Sequence, residues 1–299
     1  MIVSSGNLRT LGTGFNAAFM RGLGEAPSQR ALIASTVKST NGREEYGWMG
    51  KLKGMREWLD DRVMNSISTY DYAIKNKDWE DTMGVDRNDI EDDNIGVYGT
   101  LFAEMGSAAG AHPDELIWAA LKAGFNTNCY DGQFFFDTDH PVIDADGNTQ
   151  SVSNTGGGAG APWFLIDTKR TMHLKPIIFQ ERKPLTFVSK DKMDDDNVFF
   201  RKQFIYGVDA RYNVGYGLWQ YIYGSKQPLT AASYAAARAA MIDMKGEKGR
   251  PLGMLPDLLI VSGSNESAGL KILNNELDGA GGTNEWKGTA KLEVVSWLA

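Results

Sequence analysis

Helical and strand-forming patterns occupy separate parts of the sequence before residue 229, and this separation predicts an α+β fold. Apolar residues recur at three- and four-residue steps over residues 7–23, and a second, longer helical pattern covers residues 94–125. Residues 163–225 are instead rich in aromatic and β-branched residues, which predicts a long twisted sheet. Residues 229–299 alternate helical and strand patterns, so we expect a compact lobe of both elements there.

Length and composition limit the classes of protein to which the chain can belong. Its 299 residues predict about two compact units, or one core with long excursions. Asp and Glu number 38 against 31 Lys and Arg, and the net charge of −7 disfavours broad contact with nucleic acid, which needs a basic face. The single cysteine, Cys129, excludes an internal disulfide and favours a reducing, cytosolic compartment. We expect neither secretion nor a membrane anchor, because the sequence lacks a signal-peptide pattern and any apolar run near ~18–20 residues.

Residues 1–45 are predicted to form an N-terminal arm. Its helical pattern places Leu11, Phe15 and Phe19 on one apolar stripe. Glycine and proline follow this stripe, and a polar stretch separates it from the next segment. We therefore expect these three residues to contact another part of the fold or another chain.

Residues 46–92 are predicted to form an extended hairpin that docks on neighbouring subunits. The segment is dense in charge and has few apolar residues on its second face, so the hairpin would be marginal in water by itself. Aromatic side chains among charges are typical of subunit interfaces, although an intrachain core is the alternative. The basic residues of the segment could instead touch DNA, but interleaved acidic residues favour pairing across subunits. The predicted contact residues are Trp48, Arg56, Trp58, Asp60, Arg62, Tyr70, Tyr72 and Trp79.

Four local patterns give more specific expectations. Pro113 predicts an interruption in the helical rod over residues 94–125. The aromatic residues 134–136 predict strand, and the glycine-rich residues 156–160 predict a loop. The sequence DADGN at 144–148 predicts a turn rather than a calcium site, because its glycine comes too early and the distal glutamate is missing.

Few residues in the sequence suggest a chemical reaction. Asp131, Asp137, Asp139 and His140 could meet around a hydrolytic cation, but a solvated turn explains this short acidic stretch more simply. Cys129 and His140 could form a nucleophile and its base, yet a lone cysteine is usually a small buried hydrophobe. The phosphate-loop and esterase-elbow motifs are both absent from the sequence. We therefore expect that the protein is not an enzyme and binds no metal or cofactor. The alternative function is a small metal-dependent hydrolase that uses Asp131, Asp137, Asp139 and His140.

Five longer stretches agree, in order, with one known family. They read NKDWEDTMGVDRNDIEDDNIGVYGTLFAEMG, YDGQFFFDTDHPV, KPIIFQERKPL, YGVDARYNVGYGLWQ and PDLLIVS. In these stretches the chain resembles the Mu-like bacteriophage major head (major capsid) protein family. The resemblance spans most of the chain and is weaker over the arm and around residues 279–285.

The resemblance implies the tailed-phage major capsid fold of the Hong Kong 97 type. The implied parts are an N-terminal arm at 1–45, an extended loop at 46–92, a peripheral domain at 93–228 that includes a spine helix at 94–125 and the long sheet at 163–225, and an axial domain at 229–299 with a returning C-terminal strand. In other coat families, the block from WFLID to YGVDAR comes last, whereas here it precedes the axial helix. We therefore expect the final EVVSWL to lie near the start of WFLID, in a permuted connection of the same sheet.

The resemblance also implies a function in assembly. Identical chains would form hexamers and pentamers of an icosahedral shell that encloses double-stranded DNA. The implied partners are further copies of the chain, a scaffold protein and a portal during assembly, a decoration protein as an additional candidate, and packaged DNA contacted non-specifically on the inner face. The chain would be assembled in the host cytoplasm and reside in the virion, without contact to a membrane. An encapsulating compartment without a virus shares the fold and is a third alternative.

Overall fold

The computed structural model describes residues 2–46, 72–169 and 174–299, and it combines helices with several sheets. The helices within these ranges are α1 (Ser5–Glu25), α2 (Arg87–Glu91), α3 (Gly96–Ala123), α4 (Asp196–Arg201), α5 (Ala231–Ile242) and α6 (Gly263–Leu273). The strands are β1 (Ala34–Lys38), β2 (Arg43–Glu45), β3 (Ala73–Lys75), β4 (Lys77–Asp86), β5 (His140–Ile143), β6 (Thr149–Val152), β7 (Thr155–Gly158), β8 (Trp163–Ile166), β9 (Ile177–Lys190), β10 (Gln203–Tyr216), β11 (Ile222–Lys226), β12 (Leu258–Val261) and β13 (Lys291–Val294). None of these helices combines the length and apolar character needed to cross a membrane.

The two longest strands, β9 and β10, form the centre of a four-stranded sheet. The strand order is β1-β9-β10-β4, with β1 parallel to β9 and the other pairs antiparallel. Each of the two central strands has 14 residues, so at ~3.3 Å per residue it spans about 46 Å. The register between them shifts on both sides of Arg211. This irregularity is a β-bulge, which increases the local twist of the sheet.

The strand β4 belongs to this sheet, and the predicted hairpin at 46–92 is therefore too long. β4 pairs with β10 along its whole length, so one of its two backbone edges is hydrogen-bonded within the same chain. The Trp79 indole Nε1 also donates to the Tyr212 carbonyl oxygen over 3.0 Å. The part of the prediction that covers residues 47–71 lies outside the described residues.

The helices α1 and α3 cross at very short distance on one face of the four-stranded sheet. A Cβ atom added at Gly106 would lie 2.1 Å from the Phe19 carbonyl oxygen, and one added at Gly22 would lie 1.8 Å from the Ala103 carbonyl oxygen. Only glycine allows the two backbones to approach this closely. The helix predicted over 7–23 is confirmed as α1.

The apolar stripe of α1 packs within its own chain. The Phe15 and Phe19 side chains are buried, and the Phe15 ring stacks on Phe102 of α3 with ring centroids 4.5 Å apart. Phe187 of β9 and Tyr206 of β10 complete the cluster from the sheet. Of the two alternatives predicted for the arm, contact with another part of the fold or with another chain, the structure shows the first.

The helix α3 runs without interruption through Pro113, so the predicted break is wrong. A proline removes one backbone hydrogen bond, and the turn after it is held by the buried side chains of Ile117 and Trp118. The buried carboxylate of Asp114 also accepts hydrogen bonds from the backbone N–H groups of Gln29 and Arg30, each over 2.8 Å. These bonds tie the chain that follows α1 to the middle of α3.

A second, five-stranded sheet has the order β13-β12-β8-β11-β7. All four residues of β8 and all four of β12 are buried, which is typical of a central strand covered on both faces. The prediction of one sheet over 163–225 is therefore wrong, because β8 and β11 join strands from the C-terminal lobe while β9 and β10 form the other sheet. The proposed boundary between 93–228 and 229–299 consequently cuts through a hydrogen-bonded sheet.

The C-terminal strand lies in the same sheet as the WFLID segment, one strand away. Val261 of β12 pairs with Trp163 of β8 on one side and with Val294 of β13 on the other. The side chains of Val295 and Leu298 belong to the same core cluster as Phe164. The segment EVVSWL thus approaches WFLID with β12 between them.

Two short segments differ from the expectations of the sequence. Residues 134–136 form no strand apart from an isolated bridge at Phe134, because Phe135 and Phe136 are turned into the core as loop residues. The expected glycine loop at 156–160 begins instead as β7, which pairs in parallel with β11. Gly158 has a φ of +93°, and a Cβ atom there would lie 2.4 Å from the backbone of Lys226, so glycine is what permits this pairing.

Gly106→Ala should destabilise the unassembled subunit. The new methyl group would meet the Phe19 carbonyl oxygen at 2.1 Å, and overpacking of this kind costs about 1–3 kcal/mol. Gly99→Ala lies in the same helix with no atom within 4 Å of the new methyl group, and this control should be neutral or stabilising by up to about 1 kcal/mol. Chemical denaturation measures both free energies of unfolding, and equal values for the two variants would contradict the tight crossing.

Candidate assembly site

Residues 46 and 72, which flank the segment 47–71, lie side by side in the fold. The strands β2 and β3 pair antiparallel, from Arg43 opposite Lys75 to Glu45 opposite Ala73. The Tyr46 backbone N–H donates to the Tyr72 carbonyl oxygen over 2.8 Å, which extends the ladder by one pair. We call this paired base, residues 43–46 and 72–76, the loop root.

Gln180 of β9 holds both strands of the loop root from inside the core. Its fully buried side chain donates from Nε2 to the Ile74 carbonyl oxygen over 3.0 Å and to Asn76 Oδ1 over 2.8 Å. Its Oε1 accepts a 2.9 Å hydrogen bond from the Tyr46 hydroxyl. Burial raises the pKa of Tyr46 to about 12, so this phenol stays protonated and donates. One amide therefore fixes three residues of the root.

The hydrogen bonds continue from Asn76 to the turn before β2. The buried Asn76 side chain donates to Ser39 Oγ over 2.9 Å and to the Asn41 carbonyl oxygen over 2.8 Å. Glu44 Oε1 in turn accepts from the Thr40 and Asn41 backbone N–H groups. These backbone hydrogen bonds hold the pKa of the Glu44 carboxyl below its usual value. The loop root is thus a connected polar network rather than a single hairpin pair.

Most of the predicted subunit-contact residues fall on the segment that the root carries. Trp48, Arg56, Trp58, Asp60, Arg62 and Tyr70 lie outside the described residues. Tyr72 is half-buried, and its hydroxyl oxygen accepts a 2.6 Å hydrogen bond from the Tyr216 N–H. Trp79 is also half-buried, with its ring centroid 4.4 Å from that of His112. Tyr72 and Trp79 therefore have partners within their own chain, which is the alternative that the sequence left open.

Two of the four residues of the hydrolase alternative meet in a buried polar cluster. His140 is fully buried, with Nδ1 2.7 Å from Asp131 Oδ2 and Nε2 3.2 Å from Asn154 Oδ1. The imidazole lies flat on the Trp219 ring, with centroids 3.9 Å apart and an interplanar angle of 12°. Asn154 and Trp219 could not be found from the sequence, because nothing in their local pattern connects them with His140.

Hydrogen bonding assigns the protons of this cluster. Asn154 donates from Nδ2 to the Phe135 carbonyl oxygen over 2.9 Å and accepts at Oδ1 from the Asp137 N–H over 3.0 Å. Asn154 Oδ1 therefore faces His140 as an acceptor, and Nε2 must carry a proton. Nδ1 faces the Asp131 carboxylate, so a second hydrogen bond joins these two side chains. Burial alone would raise the pKa of Asp131, but the hydrogen bond and charge of His140 outweigh it and lower that pKa.

The arrangement has no free group for catalysis. The Cys129 thiol donates to Asp131 Oδ1 over 3.0 Å instead of to the imidazole, and burial raises its pKa, so it is not a nucleophile. Cys129, Asp131 and His140 are the three residues in the described ranges whose ligand atoms lie close enough, within 4.8 Å, to hold a metal ion. Those atoms are already committed to one another by hydrogen bonds. The adjoining cavity of about 20 Å³ has room for a single water molecule.

Asp137 and Asp139 serve the surrounding turn rather than this cluster. Asp137 accepts hydrogen bonds from the backbone N–H groups of Phe134 and Thr138. Desolvation and a hydrogen bond with Asp137 raise the pKa of Asp139. The structure therefore does not bring the four hydrolase candidates together into one site.

Comparison with known proteins identifies the family. The profile of the Mu-like prophage major head subunit gpT family matches residues 8–298. The chain belongs to this family. It is 44% identical over 290 residues to the Mu-like prophage FluMu major head subunit of Haemophilus influenzae, with 94% of each chain covered. It is 39% identical over 307 residues to the major capsid protein of Escherichia phage Mu, with both chains covered completely.

Solved structures agree with this assignment. The fold matches a chain of the bacteriophage JBD30 procapsid with a TM-score of 0.84 and 40% identity, covering 99% of this chain and 100% of that one. It matches the JBD30 capsid with a TM-score of 0.78 and 31% identity, with both chains covered completely. The Mu-like head subunit thus has the Hong Kong 97 type of capsid fold and is a structural protein of the virion. The hydrolase alternative receives no support. The buried His140 cluster is part of the folded core of the subunit.

Asp131→Asn should destabilise the Mu-like head subunit. The substitution leaves the buried imidazole without its carboxylate acceptor, and loss of a buried hydrogen-bond partner costs about 1–3 kcal/mol. Chemical denaturation at neutral pH measures this loss. Asp146→Asn, in an exposed turn, is the matched control and should keep the wild-type free energy of unfolding.

The same carboxylate gives an expected pH dependence. Because the pKa of Asp131 is lowered on folding, its contribution to stability is complete above the unfolded pKa of about 4 and is lost as the pH falls through the lower folded value. Wild type should therefore lose stability below about pH 4 more steeply than Asp131→Asn. Parallel acid profiles would show that the pair contributes no such linkage.

Proposed function

We propose that the Mu-like head subunit forms the hexamers and pentamers of an icosahedral shell, and that residues 47–71 of each copy reach onto a neighbouring copy. The observation that carries this proposal is the loop root, whose two strands are held together by Gln180 and the Asn76 network. A segment whose ends are fixed loses less conformational entropy when it binds, so a rigid root favours contact by the segment it carries. The residues proposed to make the contact are Trp48, Arg56, Trp58, Asp60, Arg62 and Tyr70.

In such an assembly, each contact between copies needs only a modest binding free energy. Every copy both offers its segment and receives another, so many weak contacts close the shell together. Individual contacts can then break and re-form while errors are corrected. Expansion of the shell during DNA packaging would be a shift between two packings of the same subunits.

The further partners belong to the same proposal. A scaffold protein and a portal would act during assembly, and the packaged double-stranded DNA would touch the inner face without base specificity. The net charge of −7 keeps that DNA contact weak. A decoration protein is supported by a related structure that is described as the JBD30 capsid decorated with minor capsid protein trimers, which is 33% identical to this chain with a TM-score of 0.77 over 94% of each chain.

Electron microscopy and sedimentation of the expressed chain test the proposal, first alone and then with its scaffold protein. We expect pentamers, hexamers or closed icosahedral shells in at least one of the two conditions. A stable monomer under both conditions would contradict the proposal.

Trp58→Ala and Trp48→Ala should each reduce shell formation and leave the subunit folded. An aromatic anchor at an interface is worth about 2 kcal/mol or more, and this loss is repeated at every copy of the shell. Lys53→Ala, on the same segment, is the matched control and should assemble like wild type. Shell yield from sedimentation and the unfolding temperature are measured together, and wild-type yields for both tryptophan variants would count against the assignment.

Gln180→Leu should loosen the loop root. It leaves the Tyr46 hydroxyl and the Ile74 carbonyl without their partner, at a cost of about 1–3 kcal/mol. The subunit should stay folded and form fewer shells, whereas the exposed control Gln150→Leu should change neither property. If Gln180→Leu lowers stability but assembles with full yield, the root does not position the segment.

A further inference from the structure

A pair of exposed phenylalanines stands at the far end of the long β9–β10 strands. Phe199 and Phe200 of α4 are 79% and 75% exposed, and their rings lie 4.9 Å apart at an angle of 89°. Single exposed apolar residues are normal on protein surfaces. Two adjacent, almost fully exposed aromatic rings are instead typical of anchors that become buried in an interface. We call the segment 195–202 the aromatic tip.

The aromatic tip is held rigidly. The buried Asn197 side chain donates from Nδ2 to the Lys190 carbonyl oxygen over 3.1 Å and to the Gln203 carbonyl oxygen over 2.6 Å, which joins the ends of β9 and β10. The next side chain, Val198, is buried in the α1–α3 cluster. The Lys202 carbonyl oxygen accepts a 2.8 Å hydrogen bond from the Arg87 N–H at the start of α2. The two phenylalanines are therefore presented in a fixed direction, so binding costs little ordering of the backbone.

A groove of about 670 Å³ lies at the same end of the molecule, between α1 and the end of β9. Its apolar lining comes from Leu8, Phe187 and Met193. This volume is within the range of about 300–1,000 Å³ that accommodates bulky groups in proteins. The groove is therefore large enough to receive the aromatic tip of another molecule.

The charges of the two features are partly complementary. The aromatic tip carries Asp195 and Asp196, and the groove is lined by Arg9 and Lys192. Asp191 and Asp194 also line the groove, so the match requires the incoming aspartates to meet the basic side chains. Complementary charges of this kind select the orientation of a contact more than they strengthen it.

We propose that Phe199 and Phe200 of one copy insert into the α1–β9 groove of a neighbouring copy of this chain. The occupant is a second copy because every chain carries both the tip and the groove at the same end. A ring of copies can therefore satisfy all of these contacts at once by rotation, which is the usual way in which head-to-tail interfaces close. The contact rests on the proposed shell-forming function and is separate from the contact made by residues 47–71.

Phe199→Ser with Phe200→Ser should reduce shell yield by roughly tenfold or more, because both anchors of the contact are removed. The unfolding temperature of the subunit should stay close to that of wild type, since neither side chain is buried in its own chain. Val97→Ser with Leu101→Ser, which changes exposed apolar residues on α3, is the matched control and should assemble normally. Sedimentation and thermal unfolding are measured on all three proteins.

Cross-linking between single-cysteine variants identifies the occupant. Arg201→Cys, beside the two phenylalanines, and Thr13→Cys are co-assembled and treated with a short bismaleimide, and the native Cys129 is buried with a raised pKa, so it should not react. A cross-linked dimer that requires both variants can arise only between copies. We expect this dimer in assembled shells and none when Glu247→Cys replaces Thr13→Cys.

The outcomes separate this contact from the proposed function. Full assembly of the Phe199/Phe200 double variant together with the absence of the cross-link would overturn the contact and leave the shell-forming function intact. Failure of the wild-type chain to assemble under every condition would instead contradict the proposed function. A cross-link accompanied by reduced assembly of the double variant supports both.

Discussion

Both candidate contact regions depend on the antiparallel pairing of β9 with β10. Gln180, near one end of β9, fixes the loop root, and the opposite end of the same strand leads into the aromatic tip. Phe187, between them, faces the helices α1 and α3. Side chains alternate along a strand, so a slip of one residue would turn all of these groups to the opposite face. One register therefore determines where the subunit presents its loop, its tip and its helical layer.

The buried His140–Asp131 pair shows why chemistry-bearing residues in a core need not form an active site. Catalysis requires a proton that can move, and here the two His140 nitrogens face Asp131 and Asn154, whose oxygens also accept hydrogen bonds from Cys129 and from the Asp137 N–H. Burial disfavours the Asp131 carboxylate, but the interaction with His140 outweighs this cost, because the pKa of Asp131 is lowered. Removal of one partner would leave the other polar side chain buried without its hydrogen bond, which is the costly case. The pair thus ties the loop at 129–133 to β5 and to Asn154.

Much of the local structure could be predicted from the sequence. The periodicity of residues 7–23 and the Ala-rich pattern after Thr230 correspond to α1 and α5, where Thr230 and Ser233 form the capping box. Sheet membership could not be predicted, because a short apolar run such as β8 is equally compatible with either sheet. The family and the function were predicted from the five longer stretches that resemble the Mu-like head proteins, and not from local helix and strand propensities.

The site was less accessible to sequence reasoning than the fold. Asp131 and His140 could be named together because they are close in the chain, whereas Asn154 and Trp219 reach them only through tertiary packing. Gln180 could have been recognised as a candidate from the sequence, because it is a polar residue at the end of the buried run IIFQ. The contacts of Trp48 and Trp58 remain predictions. Exposure of Phe199 and Phe200 depends on where the strands end, which composition does not specify.

A small change of twist at the bulge beside Arg211 would move the distant end of the long sheet by a larger distance. About seven residues of β10 separate it from the strand end at Gln203, a length of about 23 Å at ~3.3 Å per residue. A change of twist of about 10° at the bulge would therefore carry the end of the sheet sideways by about 4 Å, with every hydrogen bond beyond the bulge intact. If the subunit forms a closed shell as proposed, such a change of twist would let copies of identical sequence meet their neighbours at slightly different angles.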